Sequence, residues 1–542
     1  MASSISNILN TKLRFTGMAS GLDTDAIVQQ MIRVQQAKVD KVKQEKQLLE
    51  WKRDDYRSII NMLRSFKDEF FDVLKPATYM RSSSTYYAYK VKTTDENVAT
   101  AKSNGKVAMM EHTIKVEQLA EKAKMESRVG ELGLNGLSMD SKISEVANSL
   151  GLNLEDNKLS LEINGEEIKI SADKTLNDLI SAINNSDAGV RISYSSFLDK
   201  FIVESKATGA DEKIDVISNS NAKNLFYGLG FDVDEVKYGK NAKFKLDGKK
   251  DSNGQEVITE KNSNTFTIDG VTYTLTGVGE AKITLTQDTD AIYEKIKSFI
   301  DKYNEIVEKI TTKVTEKRPR SGGTDKGDYY LPLTDEQREA MTEDEIKKWE
   351  EKAKTGLLRN DSLLHGVLER MRSAMNDLTE AGGLFSIGIS TGSWRNGAKL
   401  FIDEDKLKKA IEDNLDKVVE IFTKTSEISY SPDNSSELRD KRYKESGVVE
   451  RLFDVLQDYI RTTRSESGQK GLLLEKAGLV GDVTEYQNTL TKQINEKQDY
   501  IQELINKLYE KQESLYIKFA YMETALSRMS AQSSWFTQNF NR

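Results

Sequence analysis

The chain has 542 residues, a net charge of −8, no cysteine and only four prolines. Its length implies about three or four domains of ~150 residues each, and 37% hydrophobic with 31% charged residues describes a water-facing chain with much charged helix surface. Without cysteine there are no disulfides, thiolate metal sites or cysteine nucleophiles; the mild acidity lacks the concentrated basic stripe of a nucleic-acid binder; and no apolar run approaches the ~20 residues of a membrane helix.

Residues 1–20 are rich in Ser and Asn with little periodicity, which predicts disorder in isolation. Met1–Asn10 lacks the basic and apolar regions of a cleaved signal peptide, leaving a cytoplasmic location or export by another route. Asp23 or Thr24 then caps a long helix, with Asp25 placed favourably in its first turn. A continuous helix from Asp23 to Lys75 would span roughly 80 Å, and Pro76 would stop it. Strict 4-3 spacing runs through Val28, Ile32, Gln35, Val39, Val42, Lys46, Leu49, Arg53, Tyr56, Ile60, Leu63, Lys67, Phe70 and Leu74. Such a stripe demands a partner helix, and its polar members Gln35, Lys46, Arg53 and Lys67 make the seam a loose one.

From about 79 to 288 the pattern alternates. Tyr86–Val91 and His112–Val116 read as strands; Leu159, Leu161 and Ile163 alternate up to Asn164-Gly165, with Ile168 and Ile170 after it, predicting a hairpin on a tight primed turn. A short helix Leu176–Ile183 capped by Thr175 follows, then strands Val190–Tyr194 and Phe201–Ser205. Further strands, Thr265–Ile268 and Thr272–Leu275 among them, flank Asp247-Gly248 and Asp269-Gly270.

Helical periodicity returns at Thr289 with Ile292, Ile296, Phe299, Ile300, Tyr303, Ile306, Val307 and Ile310. A polar stretch, Lys317–Tyr330, containing Pro319 and Gly322-Gly323, interrupts it. Helices are predicted at Glu336–Lys354, Ser362–Leu378, Glu404–Phe422 and Val448–Arg461, with a hairpin at Ile387–Ile402 turning near Asn396-Gly397. The final helix, Asp482–Met529, carries the cleaner stripe: Ile501, Ile505, Leu508, Gln512, Leu515, Phe519, Met522, Leu526 and Met529. Beyond it, Trp535, Phe536 and Phe540 crowd three aromatics at the chain end, a surface suited to burial on assembly.

No residue set points to catalysis, a metal or a cofactor. His112 and His365 lie far apart in sequence on different elements, and with no cysteine a zinc site would need carboxylate partners. Asp403, Glu404 and Asp405 directly precede a helix and read as capping groups, as do Asp23, Thr24 and Asp25. Gly228-Leu229-Gly230 lacks the lysine and the strand–helix setting of a phosphate loop. Gly382-Gly383 reads as a turn, and Lys317, Arg318 and Arg320 as a solvated linker.

Several segments resemble one family. Gly17-Met18-Ala19-Ser20-Gly21-Leu22-Asp23-Thr24-Asp25-Ala26-Ile27-Val28, followed by Leu49-Glu50-Trp51-Lys52-Arg53-Asp54-Asp55-Tyr56-Arg57, resembles the N-terminal signature of the flagellar filament cap (FliD, hook-associated) family. The segment Thr175–Val190 is similar to a repeat motif shared by flagellins and hook-associated proteins. Asp288–Ile292 with Phe299–Asn304 resembles the family's return into its helical leg; Met522–Ser527 and Gln532–Phe536 resemble its C-terminal end; and Leu331–Leu358 looks like the version found in Gram-positive relatives.

The resemblance implies a multidomain α+β chain: terminal coiled-coil helices and a discontinuous helical leg domain, with β-rich head domains inserted between the two halves of the stalk. The expected borders are 1–39 for an N-terminal coiled-coil segment, 40–78 plus 289–485 for the leg, 79–117 plus 236–288 for one head domain, 118–235 for a second, and 486–542 for the C-terminal helix and end. It also implies a ring of identical subunits, commonly a pentamer, at the filament tip. Flagellin, hook–filament junction proteins and an export chaperone are the implied partners, and the flagellar type III channel the implied route out, without a cleaved signal. No cofactor, nucleic acid or membrane is implied. The assembly residues are Val28, Ile32, Val39, Val42, Leu49, Tyr56, Ile60, Leu63, Ile501, Ile505, Leu508, Leu515, Phe519, Met522, Leu526 and Met529, with Trp535, Phe536 and Phe540 as a filament-docking end. Two other readings share these features: a flagellin-like or junction subunit, and a tip adhesin whose head binds glycan or matrix.

Overall fold

The computed structural model describes residues 21–103, 105–108, 110–130, 135–321, 327–391 and 399–540, with 538–540 as backbone only. The expectations for residues 1–20, for Gly322-Gly323 and for a turn at Asn396-Gly397 lie outside the described residues. The chain divides into two compact units: Tyr87–Thr289, and the segments on either side of it, up to Tyr86 and from Asp290 onward.

Helix α1 spans Thr24–Phe70, about 70 Å of continuous helix. Asp23 caps it, its carboxylate accepting the Ala26 N–H at 3.0 Å. It ends well before Pro76, earlier than expected, because Phe71 turns off the helix axis into an aromatic cluster with Phe66, Phe299 and Phe453. Leu74, expected in the seam, is 85% exposed.

The unit Tyr87–Thr289 opens with β1 (Tyr89–Thr93), β2 (Ala99–Ser103), β3 (Glu111–Gln118) and β4 (Lys124–Glu126). Helix α2 (Ile143–Leu150), β5 (Leu154–Glu155), β6 (Lys158–Ile163), β7 (Glu166–Ser171), α3 (Leu176–Asn185), β8 (Val190–Ser195), β9 (Lys200–Ser205), β10 (Lys213–Ile214) and α4 (Ser220–Gly228) follow. Strands β11 (Lys237–Tyr238), β12 (Ala242–Leu246), β13 (Thr259–Lys261), β14 (Thr265–Ile268), β15 (Val271–Leu275) and β16 (Gly279–Gln287) complete it. Every pairing between these strands is antiparallel.

Two separate cores form here. One joins the five-stranded sheet β1-β16-β3-β12-β13 to the three-stranded sheet β14-β15-β2 through Ile114, Val116, Phe244, Tyr273, Ile283 and Leu285. Alternate residues of β3 are buried and exposed, as a sheet with one wet face requires. The other core packs β4-β9-β8 and β5-β6-β7 against α2, α3 and α4. Asn164 (φ 56°) and Gly165 (φ 87°) make the tight β6–β7 turn, where both central residues need positive φ. Thr175 caps α3 in a reciprocal box with Asp178. Asn184, at the end of α3, holds the open edge of β8: its side-chain oxygen accepts the Ile192 N–H at 2.7 Å and its amide donates to the Ile192 carbonyl at 2.9 Å. A side-chain amide thus stands where a neighbouring strand would pair.

After the unit come α5 (Thr289–Thr315), α6 (Asp335–Glu339), α7 (Glu343–Lys354) and α8 (Ser362–Asn376). The small hairpin β17 (Ile389–Thr391) and β18 (Leu400–Ile402) precedes α9 (Glu404–Thr423), α10 (Ser436–Glu445), α11 (Val448–Ile460), α12 (Leu472–Ala477) and α13 (Thr489–Phe540). The single helix expected at Glu336–Lys354 is two, because Thr342 opens a new capping box with Glu345. Helix α9 is kinked at Asn414, whose side chain accepts the Lys417 N–H and restarts the helix. Helix α13 begins later than expected: Asp482 caps a separate short turn, and Asn488 takes the Thr491 N–H at 2.8 Å.

In the helical core α5, α11 and α12 pack against the second half of α1, and α8 and α9 pack on α11. Rings of Phe66 and Phe70 lie 5.5 and 5.4 Å from Phe299 on α5. On α11, buried Glu450 binds Arg81 (2.6 Å) and Arg442 (3.1 Å), and Arg442 also reaches Asp454 at 2.6 Å. Arg451, 1% exposed, donates to the carbonyls of Tyr443, Asp377, Leu378 and Lys444. These partners offset the cost of burying the charges.

Candidate functional site

The terminal helices α1 and α13 pack antiparallel over their outer parts. Val28, Ile32, Val39 and Val42 from α1 share a core with Ile501, Leu508 and Leu515 from α13, and Leu504, Ile505, Tyr516 and Phe519 pack half-buried at its margin. Glu45 and Lys497 close the inner end with a 2.7 Å ion pair. Seven buried aliphatic side chains at about 2 kcal/mol each form the core between the two helices.

The remaining assembly candidates separate from this seam. Leu49 is half-buried on a stretch of α1 with no buried side chain. Tyr56, Ile60 and Leu63 are 0–1% exposed, in the helical core beside Ile59, Phe66 and Phe70. The stripe expected as one seam is therefore two contact faces. Helix α13 begins at Thr489, and with Lys497 opposite Glu45 the antiparallel pair ends near Arg53, so the later 4-3 positions of α1 are buried against other helices. Lys46 and Arg53 occupy the stripe where the change occurs. Gln512, the polar member of the α13 stripe, is half-buried.

Past Phe519, α13 continues beyond the start of α1. Met522 and Leu526 are half-buried there; Met529, Trp535 and Phe536 are 66%, 60% and 54% exposed. Trp535 and Phe536 meet edge-to-face at 5.3 Å. The side chain of Phe540 lies outside the described residues.

The other candidates serve the fold. Asp403 accepts the Lys406 N–H as the cap of α9, and the Lys406 ammonium, then that backbone N–H, holds its carboxyl below the ordinary range. Buried His112 pairs through Nδ1 with Asp247 at 2.8 Å; His365 is exposed on α8. Arg318 and Arg320 do not form a solvated linker: their guanidinium groups lie over the Tyr329 ring at 4.9 and 4.2 Å. Among the described residues no cluster of three or more His, Asp or Glu is placed to hold a metal, and no helix is long and apolar enough to cross a membrane.

Comparison with known proteins locates three family segments in this chain. The flagellar hook-associated protein 2 N-terminus matches residues 20–123, its C-terminus matches 239–531, and the flagellin hook IN motif matches 159–207. The flagellar hook-associated protein 2 of Halalkalibacterium halodurans is 30% identical over 97% of this chain and the whole of that protein. The chain belongs to the flagellar hook-associated protein 2 (FliD) family. The hook-associated protein 2 of Thermotoga maritima is 28% identical, over 75% of this chain and 58% of that one. The crystal structure of the D1-D2-D3 domains of the Escherichia coli flagellar cap protein FliD covers 76% of this chain and 97% of that one, at 19% identity and a TM-score of 0.48.

Within this FliD-family chain the segment Trp51–Arg57 works as a junction, a role the sequence reading did not assign. Lys52 and Tyr56 both reach Asp361, at 3.5 and 2.5 Å, while the same carboxylate caps α8. Burial, then the Asp361 carboxylate, pushes the Tyr56 phenol well above its ordinary range, so it stays a donor. Asp55 pairs with Lys313 at 2.7 Å, and Arg57 donates to the carbonyls of Ala477 and Glu485. One turn and a half of α1 thus grips α5, α8 and α12. A dense run of charged and aromatic residues between two apolar stripes was the available signal.

Proposed function

We propose that this chain caps the distal end of a flagellar filament as a closed homo-oligomer, a pentamer by expectation, and promotes polymerisation of exported flagellin there. The role is structural. The observation that carries the proposal is the end-to-end similarity to hook-associated protein 2. The physical division of labour follows the two units: the β-rich unit Tyr87–Thr289 covers the growing end, and the terminal helices dock into the filament by helix pairing. The α13 positions Met522, Leu526, Met529, Trp535 and Phe536, beyond the start of α1, supply apolar surface for that docking, with Phe540 added from the sequence. Flagellin is the principal partner; junction proteins and an export chaperone are further ones, and the type III channel is the route out.

Deleting the encoding gene tests this. The expected outcome is loss of filaments with flagellin released into the medium, both restored by the intact gene. Normal filaments in the deletion strain would overturn the proposal.

A further inference from the structure

Between its two apolar faces α1 has a waist. Val42 is the last buried residue of the terminal pair and Tyr56 the first of the helical core; residues 43–55 between them include no buried side chain. On α13 the matching gap lies between Ile494 and Ile501. Two helices crossing a gap without a core would bend there first, since packing rather than helix propensity supplies most helix stability.

The helices α6 and α7 lie across this waist. Gln44 on α1 donates to the Pro332 carbonyl at 2.6 Å, and Lys43 pairs with Asp335 at 2.8 Å. The Lys354 ammonium sits 4.9 Å over the Trp51 ring. The segment is held together internally: Tyr330 and Trp349 meet edge-to-face at 4.7 Å, Trp349 donates its indole N–H to the Leu331 carbonyl at 2.8 Å, and Arg338 pairs with Glu350. Leu333, Ala353 and Leu358 of the segment are themselves buried. Exposed ion pairs add little on their own, so the amide-to-carbonyl bond, the cation over the indole and the buried aliphatics carry the attachment.

We propose that residues 331–358 form a strap that splints the waist of α1 and fixes the direction in which the terminal pair leaves the helical core. Load applied at the far end of the pair then passes into the helical core instead of being taken up by bending at residues 43–50, ahead of the Lys52 and Asp55 anchors. The proposal concerns the isolated chain and does not depend on what the terminal pair binds.

The absence of native cysteine allows paired spin labels at Lys38→Cys on the terminal pair and Glu369→Cys on α8, both exposed positions. The distance distribution is measured for the parent, for Gln44→Ala/Trp51→Ala, and for a chain whose residues 334–354 are replaced by a Gly/Ser linker. At least a twofold broader distribution is expected in the linker chain, with an intermediate width in the double substitution. Lys507→Ala, which removes an exposed ion pair with Glu503 within α13 itself, is expected to keep the parental width. A linker chain as narrow as the parent overturns the proposal. Should the linker chain not fold, the double substitution decides: a parental width, with amide exchange in 335–354 raised at least tenfold, overturns it equally.

Discussion

The outer and inner parts of α1 carry the same 4-3 pattern and live in different physical worlds. The outer part, Val28–Val42, is buried on one side against a single helix, in a core of seven side chains. The inner part, Tyr56–Phe70, is enclosed by several helices, and its phenylalanines form a ring cluster with Phe299. One stripe can therefore build a detachable seam and a permanent core, depending on how many neighbours surround it. The seam has a single partner helix, whereas the inner part is held from several sides.

Substitutions should separate the two regions. Phe66→Ala on the inner part is expected to cost about 4 kcal/mol, seen as a lower denaturant midpoint for the whole helical core. Leu508→Ala on the seam is expected to cost about 2–3 kcal/mol. That loss should appear as faster amide exchange in 24–42 and 501–519, with exchange in α11 unchanged. A Leu508→Ala chain that lowers protection in α11 as well would merge the two regions into one cooperative unit.

Acid probes the helical core through Asp482. Burial opposes ionisation of Asp482, but the Lys470 ammonium at 2.6 Å and the Thr484 N–H and hydroxyl hold its carboxyl at about 2. A folded-state value depressed below the unfolded one gives stability that is present above pH ~4 and lost as pH falls toward 2. About 1 kcal/mol is expected to disappear over that window, and Asp482→Asn should flatten the dependence. The smallest effect belongs to the seam's inner rim: Lys497→Ala removes an exposed ion pair and should cost under about 0.5 kcal/mol.

Much of this was legible in the sequence where one local rule acts alone. Asn164-Gly165 forced its hairpin, Thr175 capped its helix, and Asp403 capped α9. What stayed hidden depended on tertiary context. The division of the α1 stripe follows from where α13 begins and from which helices surround each part. Helix α10 was unreadable because its one buried residue is Arg442, held by carboxylates on another helix. Helix α12 is six residues long, too short for a period to show. At the candidate site the seam members Val28–Val42 and Ile501–Phe519 are placed together, while Tyr56, Ile60 and Leu63 lie apart from them.

The central claim is that the chain assembles into a closed cap at the filament end. Light scattering of the purified full-length protein across a concentration series, with negative-stain imaging of the same samples, tests it most directly. A closed ring of a few subunits, seated on distal ends when flagellin filaments are added, is the expected result. Open-ended filaments of the chain itself, or a monomer that leaves filament ends bare, would contradict it.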